Sequence, residues 1–291
     1  VLPGRVNSFD YVVPHGEAIG AFGWPFDSCQ RAHVSQRAVR LEEYPVVIWA
    51  SGNQSTAGRT FTPAEQAAVA SFLAAGGNLF VSGSEIAWDL DRVSGPSPAD
   101  RAFLRQRLHA RLDGDIHDNA GSHTVTPAAG SIFAGSGTGL FDDGSRGIYW
   151  VGYPDLLTPE GAAAAVALEY GGVAGGGAGI LHTGAGGVGK VVYWGFPFET
   201  LTSAAVRRTY MADVLRFLSQ PSRLEIAAPQ SDGRIHLRLE GEPGLTYLIQ
   251  RCVPGGPWTN VRNVSNATGS TLFSDAWPAE AAVLYRAVLT P

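Results

Sequence analysis

Three consecutive stretches decide the fold: VVIWASG at Val46–Gly52, TPAEQAAVASFLAAGG at Thr62–Gly77, and NLFVSGSE at Asn78–Glu85. The first is a short, almost wholly apolar run after Pro45 and reads as a buried strand. In the second, Thr62 supplies a hydroxyl N-cap, Pro63 occupies the first helical position and Glu65 puts an acid in the first turn. Apolar residues then recur until Gly76 and Gly77, a glycine C-cap. The third is again strand-like. Strand, helix, strand is the unit of a parallel α/β sheet.

Working outward, Asp10 to Phe22 carries helical spacing, with Pro14 near its start. Ser97, Pro98 and Asp100 open another helix, and residues 114 to 159 read as an inserted region of short strands and loops. AVALEY (165–170), AGILHTG (178–184) and GKVVYWGFPF (189–198) are three strand-like runs separated by glycines. Ala204 to Leu218 has helical spacing, and Pro221 ends it. Beyond it, short alternating runs divided by Ser-Asp-Gly, Glu-Pro-Gly and Pro-Gly-Gly turns predict a small all-β sandwich. The expected domains are 1–220 and 221–291.

The chain has 291 residues, 45% hydrophobic and 16% charged, which excludes a disordered chain. A net charge of −5 and the absence of any Lys/Arg-rich run exclude a nucleic-acid binder held by a general positive field. No apolar run reaches ~18 residues, so no membrane span is expected. The chain begins at Val1, which is read as a processed or cut product whose targeting signal is gone. Cys29 and Cys252 fall in different expected domains and have no metal-type spacing, so two free thiols are expected rather than a disulfide. No cofactor is expected. HTGAGGVGK (182–190) lacks the Ser/Thr after Lys190 and leads into a strand, not the helix N-terminus that a phosphate loop requires.

Taken together, VVIWASGNQST, EQAAVASFLAAGGNLFVSGSEIAWDLD and GKVVYWGFPFETL resemble the class I glutamine amidotransferase-like domain. They are most similar to the versions in large secreted bacterial proteins that are labelled N-acetylmuramoyl-L-alanine amidase or xanthan lyase-like. The resemblance spans about residues 8 to 218, and residues 222–291 resemble a fibronectin-like sandwich. It implies a flavodoxin-like α/β fold with a mostly parallel sheet and helices on both faces. It also implies a first strand ahead of the first helix, where this chain has only VLPGRVN. That departure leaves a sheet edge for another segment or a partner chain to complete.

The resemblance puts a nucleophilic Cys on a sharp strand-to-helix turn, where this chain has Ser84. Glu199, in Phe196-Pro197-Phe198-Glu199, matches the triad acid, but an apolar residue fills the His position. A serine without a base is a weak nucleophile. His182, at a strand end, offers a displaced triad of Ser84, His182 and Glu199; the simpler alternative is a histidine bonded to backbone. Glu85, Asp89 and Asp91, with Asp142, Asp143 and Asp155, are carboxylates that would suit Ca²⁺ or a glycosidic bond, or simply cap helices and turns. His117 and His123 flank Asp118 without diagnostic metal spacing, and no metal site is expected. Trp49 and Trp194 read as core, whereas Trp88 and Trp150 adjoin loops and are candidates for stacking on sugar rings.

The expected function is a secreted or cell-surface, non-catalytic binding or scaffolding module. Its expected ligand is a polysaccharide or peptidoglycan, contacted by Glu85, Trp88, Asp89 and Trp150. The alternatives are a hydrolase of glycan, peptidoglycan or ester bonds working through Ser84 or nearby carboxylates, and a structural subunit of a larger extracellular assembly.

Overall fold

The computed structural model describes residues 11–115, 123–173, 175–185, 188–219, 223–227, 232–241, 245–276 and 282–289. These divide into two compact units, one ending at Leu218 and the other beginning at Ser219.

In the first unit, α1 (Val12–Phe22) and α2 (Arg31–Ser35) lead to β1 (Val46–Gly52). Then come α3 (Pro63–Ala74), β2 (Asn78–Gly83), α4 (Ile86–Asp91), α5 (Pro98–Arg107) and β3 (Ala110–Asp115). Four short strands follow: β4 (Thr124–Pro127), β5 (Gly139–Leu140), β6 (Asp155–Pro159) and β7 (Ala164–Tyr170). The unit closes with β8 (Gly177–His182), β9 (Val191–Trp194) and α6 (Ala204–Ser219).

The capping of α3 is reciprocal. The Glu65 amide donates to the Thr62 hydroxyl, and the Thr62 amide donates to the Glu65 carboxylate at 2.7 Å. Thr62→Ala is expected to cost about 1 kcal/mol, measured as a lower urea midpoint at unchanged slope. A cost near zero would mean that Arg31 and Ser35, which also hold Glu65, suffice to fix the helix start.

The strands form one sheet in the order β1-β2-β9-β8-β7-β4-β5, with β6 joined to β8 and β3 to β6. Only β1–β2 and β2–β9 are parallel. Every other pairing, from β9–β8 through β8–β7 and β7–β4, is antiparallel. The sheet is therefore mixed and mostly antiparallel. It corrects the flavodoxin-like expectation and, with it, the amidotransferase-like description that rested on a parallel sheet. The physical reason is link length. A parallel neighbour needs a crossover of a dozen or more residues, and only residues 171–176 join β7 to β8 and 183–190 join β8 to β9. The chain can only turn back.

Alternation along β2 separates two apolar faces. Leu79 and Val81 join Trp49, Phe61 and the α3 residues Val69, Phe72 and Leu73 on one side. Phe80 meets Trp194 edge-on at 5.0 Å on the other, and Trp194 stacks on Phe196 at 5.0 Å and meets Tyr210 of α6 at 5.8 Å. Trp49 and Trp194 are both buried.

The second unit holds β10 (Arg223–Ile226), β11 (Arg234–Glu240), β12 (Leu245–Cys252), β13 (Thr259–Asn266), β14 (Ser270–Ala276) and β15 (Leu284–Leu289). They make two three-stranded antiparallel sheets, β10-β11-β14 and β13-β12-β15. Ile235, Leu237 and Leu239 bury alternate positions of β11. All the candidate site residues lie in the first unit. Cys29 is exposed, Cys252 is buried, and both are free thiols. No described helix is long and apolar enough to cross a membrane.

Candidate functional site

The turn after β2 is tight because β1 and β2 approach closely there. A Cβ on Gly83 would stand 2.7 Å from the Ser51 Cβ, so only glycine fits. Ser84 follows, and its amide donates to the Gly52 carbonyl at 3.0 Å. The residue in the left-handed conformation is the next one, Glu85, at φ 59° and ψ 15°. The strained elbow position therefore belongs to Glu85, not to Ser84.

The Ser84 hydroxyl donates to Asn53 Oδ1 at 2.7 Å, and Asn53 Nδ2 donates to the Trp150 carbonyl at 2.8 Å. The amides beyond the elbow are also engaged. Those of Ala87 and Trp88 donate to the Asp155 carboxylate at 2.7 and 3.1 Å, and the Tyr193 hydroxyl donates to it at 3.1 Å. A buried carboxylate at a helix start satisfies donors that would otherwise be available to an oxyanion.

His182 stands elsewhere. It is the last residue of β8 and pairs with Val191 of β9, which pairs with Leu79 near the start of β2. Ser84 lies beyond the opposite end of β2, five residues on, or ~17 Å along an extended chain. Because β8 runs antiparallel to β9, the end of β8 faces away from the elbow. The His182 ring stacks on His109 at 3.5 Å with an interplanar angle of 7°, and its Nδ1 accepts the Gly184 amide at 3.2 Å. Burial holds both imidazoles down to about 4, with their mutual repulsion adding to the effect at His109.

Glu199 sits in a single 3₁₀ turn, Phe198–Thr200, and is fully buried. The Tyr149 hydroxyl donates to its Oε1 at 2.6 Å, and its Oε2 has no partner among the described residues. Burial pushes its carboxyl up to about 7, against the pull of the Tyr149 hydrogen bond. The Tyr149 ring lies 5.5 Å from Tyr11. Ser84, His182 and Glu199 thus do not assemble as a triad: the hydroxyl serves Asn53, the imidazole serves His109, and the acid serves Tyr149.

The loop from Asp142 to Tyr153 links the two ends that do come near. Tyr149 reaches Glu199, and the neighbouring Trp150 carbonyl reaches Asn53. Asp142 shapes this loop by accepting the amides of Gly144, Arg146 and Ile148 at 2.7, 3.0 and 2.7 Å. Its carboxylate is thereby a turn organiser rather than a free ligand. The Trp150 ring lies across Gly152, where a Cβ would come 2.4 Å from it, and meets Tyr153 at 6.0 Å. Tyr153 is 40% exposed. The chain then enters Asp155, whose carboxylate caps α4 just before Trp88. Trp88 is 36% exposed, with the Arg92 guanidinium 6.0 Å from its ring centroid. Trp88 thus lies in the helix that follows β2, and the segment of Trp150 and Tyr153 is tied to the same turn through Asn53 and Asp155.

Asp89 does not join them. It is buried and accepts the Thr60 amide and hydroxyl at 2.8 and 3.0 Å. Asp91 pairs with Arg105 at 2.7 Å. His123 bonds the Val151 carbonyl at 3.0 Å; His117 and Asp118 lie outside the described residues. Among the described residues no group of three His, Cys, Asp or Glu is arranged to hold a metal ion. Asn53, Tyr149 and Tyr153 are not among the residues the sequence singles out for a site; Asn53 and Tyr149 act through partners far along the chain, at Trp150 and Glu199.

No protein-family model matches this sequence, and no curated protein matches it. Among solved structures the chain is similar to a beta-galactosidase from Bacillus circulans sp. alkalophilus. The identity is 16% and the TM-score 0.42, over 91% of this chain and 38% of that one. The chain therefore spans well under half of that enzyme's length, and a likeness of this degree carries no argument about fold or activity.

Proposed function

We propose that this chain is a non-catalytic binding module, secreted or held at the cell surface, that takes a polysaccharide or peptidoglycan against Trp88, Trp150 and Tyr153. The observation that carries the reading is the Ser84 hydroxyl donated to Asn53, with the His182 ring at the far end of β2. A serine whose proton is directed to an amide oxygen has no base to activate it. Three part-exposed aromatic rings beside that turn offer apolar faces on which sugar rings stack. Glu85, half-buried at the elbow, adds a carboxylate acceptor for sugar hydroxyls.

Retention on insoluble peptidoglycan and on a panel of insoluble polysaccharides tests the reading. Trp150→Ala is expected to weaken retention on the responsive material about tenfold or more, as loss of a central aromatic anchor does. Ser84→Ala is expected to leave it unchanged. Failure of the intact chain to bind any of these materials, or equal retention by Trp88→Ala, Trp150→Ala and the intact chain, would overturn the proposal.

A further inference from the structure

Among the described residues β1 is the terminal strand of its sheet and pairs with β2 alone. Its register with β2 decides which backbone groups remain. The Asn78 amide donates to the Pro45 carbonyl at 3.1 Å, and Val46, Ile48 and Ala50 stand opposite Asn78, Phe80 and Ser82. In a parallel ladder alternate residues send both backbone groups to the same neighbour. Pro45, Val47 and Trp49 therefore face β2, while the N–H and C=O groups of Val46, Ile48 and Ala50 point away. None of these six groups has a hydrogen-bond partner among the described residues.

They point into a cleft of about 870 Å³ that runs along β1 from Pro45 to Ser51. Ile19 of α1 and Leu215 of α6 line it, as do Val34 of α2 and Leu41. Val34 and Leu41 belong to the core on the Val47–Trp49 side of the strand, and Ile19 and Leu215 stand apart from that core. The cleft thus offers hydrogen-bonding groups at every second residue and an apolar wall beside each face of the next strand position. Val46, Val47 and Ile48 are only half-buried, and Ala50 is exposed. This is an open strand edge of the kind that proteins normally cover or blunt.

We infer that β1 binds an extended polypeptide segment of a partner chain, about six residues long and apolar on both faces, as an added strand. Only another backbone repeats donors and acceptors at the ~6.6 Å spacing of alternate strand residues. Walls on both faces select consecutive apolar residues rather than an apolar/polar alternation. The β1 edge of a second copy does not fit the role, since it is recessed between its own α1 and Leu41. This inference stands apart from the glycan reading, which uses the loop and helix at the carboxyl end of β2.

The test uses a soluble probe, the peptide acetyl-Lys-Lys-Val-Ile-Val-Ile-Val-Lys-Lys-amide with a fluorophore, titrated with the full chain by fluorescence anisotropy. One-to-one binding is expected. The same peptide N-methylated at alternate residues is expected to bind about a hundredfold more weakly, because it loses at least two ladder bonds and each is worth up to about tenfold. Ile48→Pro removes one outward-facing donor and spares the ladder to β2, and is expected to weaken the unmodified peptide by about tenfold. If that variant does not fold, the N-methylated peptide decides the matter on the intact chain. Absence of binding up to ~1 mM, or equal binding of the methylated probe, would overturn the inference. So would self-association of the chain that Ile48→Pro abolishes, since a second copy would then cover the edge.

Discussion

Asp155→Ala is expected to destabilise the first unit by about 4 kcal/mol and to loosen the elbow. The side chain is fully buried and accepts the Ala87 and Trp88 amides and the Tyr193 hydroxyl. Its removal leaves two buried donors and the part-buried Trp88 amide without an acceptor, and each buried one costs about 1–3 kcal/mol when left unsatisfied in the interior. Asp155→Asn keeps an acceptor for one helix amide and turns the other position into a donor facing a donor, so it is expected to fall between. Urea denaturation of the two variants checks the ranking. A loss below ~1 kcal/mol for Asp155→Ala would mean that the α4 start finds other partners.

Glu199→Gln is expected to change how stability depends on pH. The folded carboxyl titrates at about 7, against a usual value of 4.5. Between these values the folded chain holds a proton that the unfolded chain has released. Stability contributed by the neutral acid is therefore complete below pH 4.5 and is lost as the pH rises through 7, by roughly 3 kcal/mol in all. Glutamine keeps an acceptor for the Tyr149 hydroxyl and never ionises. The variant is expected to match the native chain near pH 4 and to exceed its stability at pH 8 by up to roughly 3 kcal/mol. His15, His109 and His182, each held down to about 4 by burial, act in the opposite sense, losing stability as the pH falls from 6.5 toward 4. They are common to both chains and cancel in the comparison. A difference in stability that stays constant from pH 5 to pH 8 would contradict this account of Glu199.

How much of this was legible follows from the range of the interactions. The β1–α3–β2 unit is local: the Thr62 and Glu65 cap, the Gly76 and Gly77 ending and two flanking apolar runs state it within 40 residues. The Ser97 and Asp100 cap of α5 is local in the same way. The antiparallel return through β7, β8 and β9 is also written in the short glycine links, whereas the likeness to a parallel family implies the opposite strand direction. Strand direction then decided the site. Once β8 runs against β9, His182 falls at the end of the sheet opposite Ser84, which strand-end position alone does not reveal. The resemblance puts the elbow at Ser84, one residue early, since nothing in VSGSE distinguishes which side chain takes the positive φ of Glu85. Asp155 meets Ala87 and Trp88 across more than 60 residues, and Asn53 meets Trp150 across 97. No periodic pattern carries pairings of that length. Glu199 was found as a candidate acid, and its apolar neighbours Phe196, Pro197 and Phe198 already implied the burial that raises its pKa.

The central claim is that the Ser84 hydroxyl has no base and that the chain binds without cutting. Turnover by the intact chain and by Ser84→Ala, measured on p-nitrophenyl esters, peptidoglycan and the polysaccharide that retains the chain, tests it most directly. No hydrolysis above the uncatalysed background is expected for either protein, with retention of the polysaccharide unchanged. Hydrolysis by the intact chain that disappears in a folded Ser84→Ala variant would contradict it.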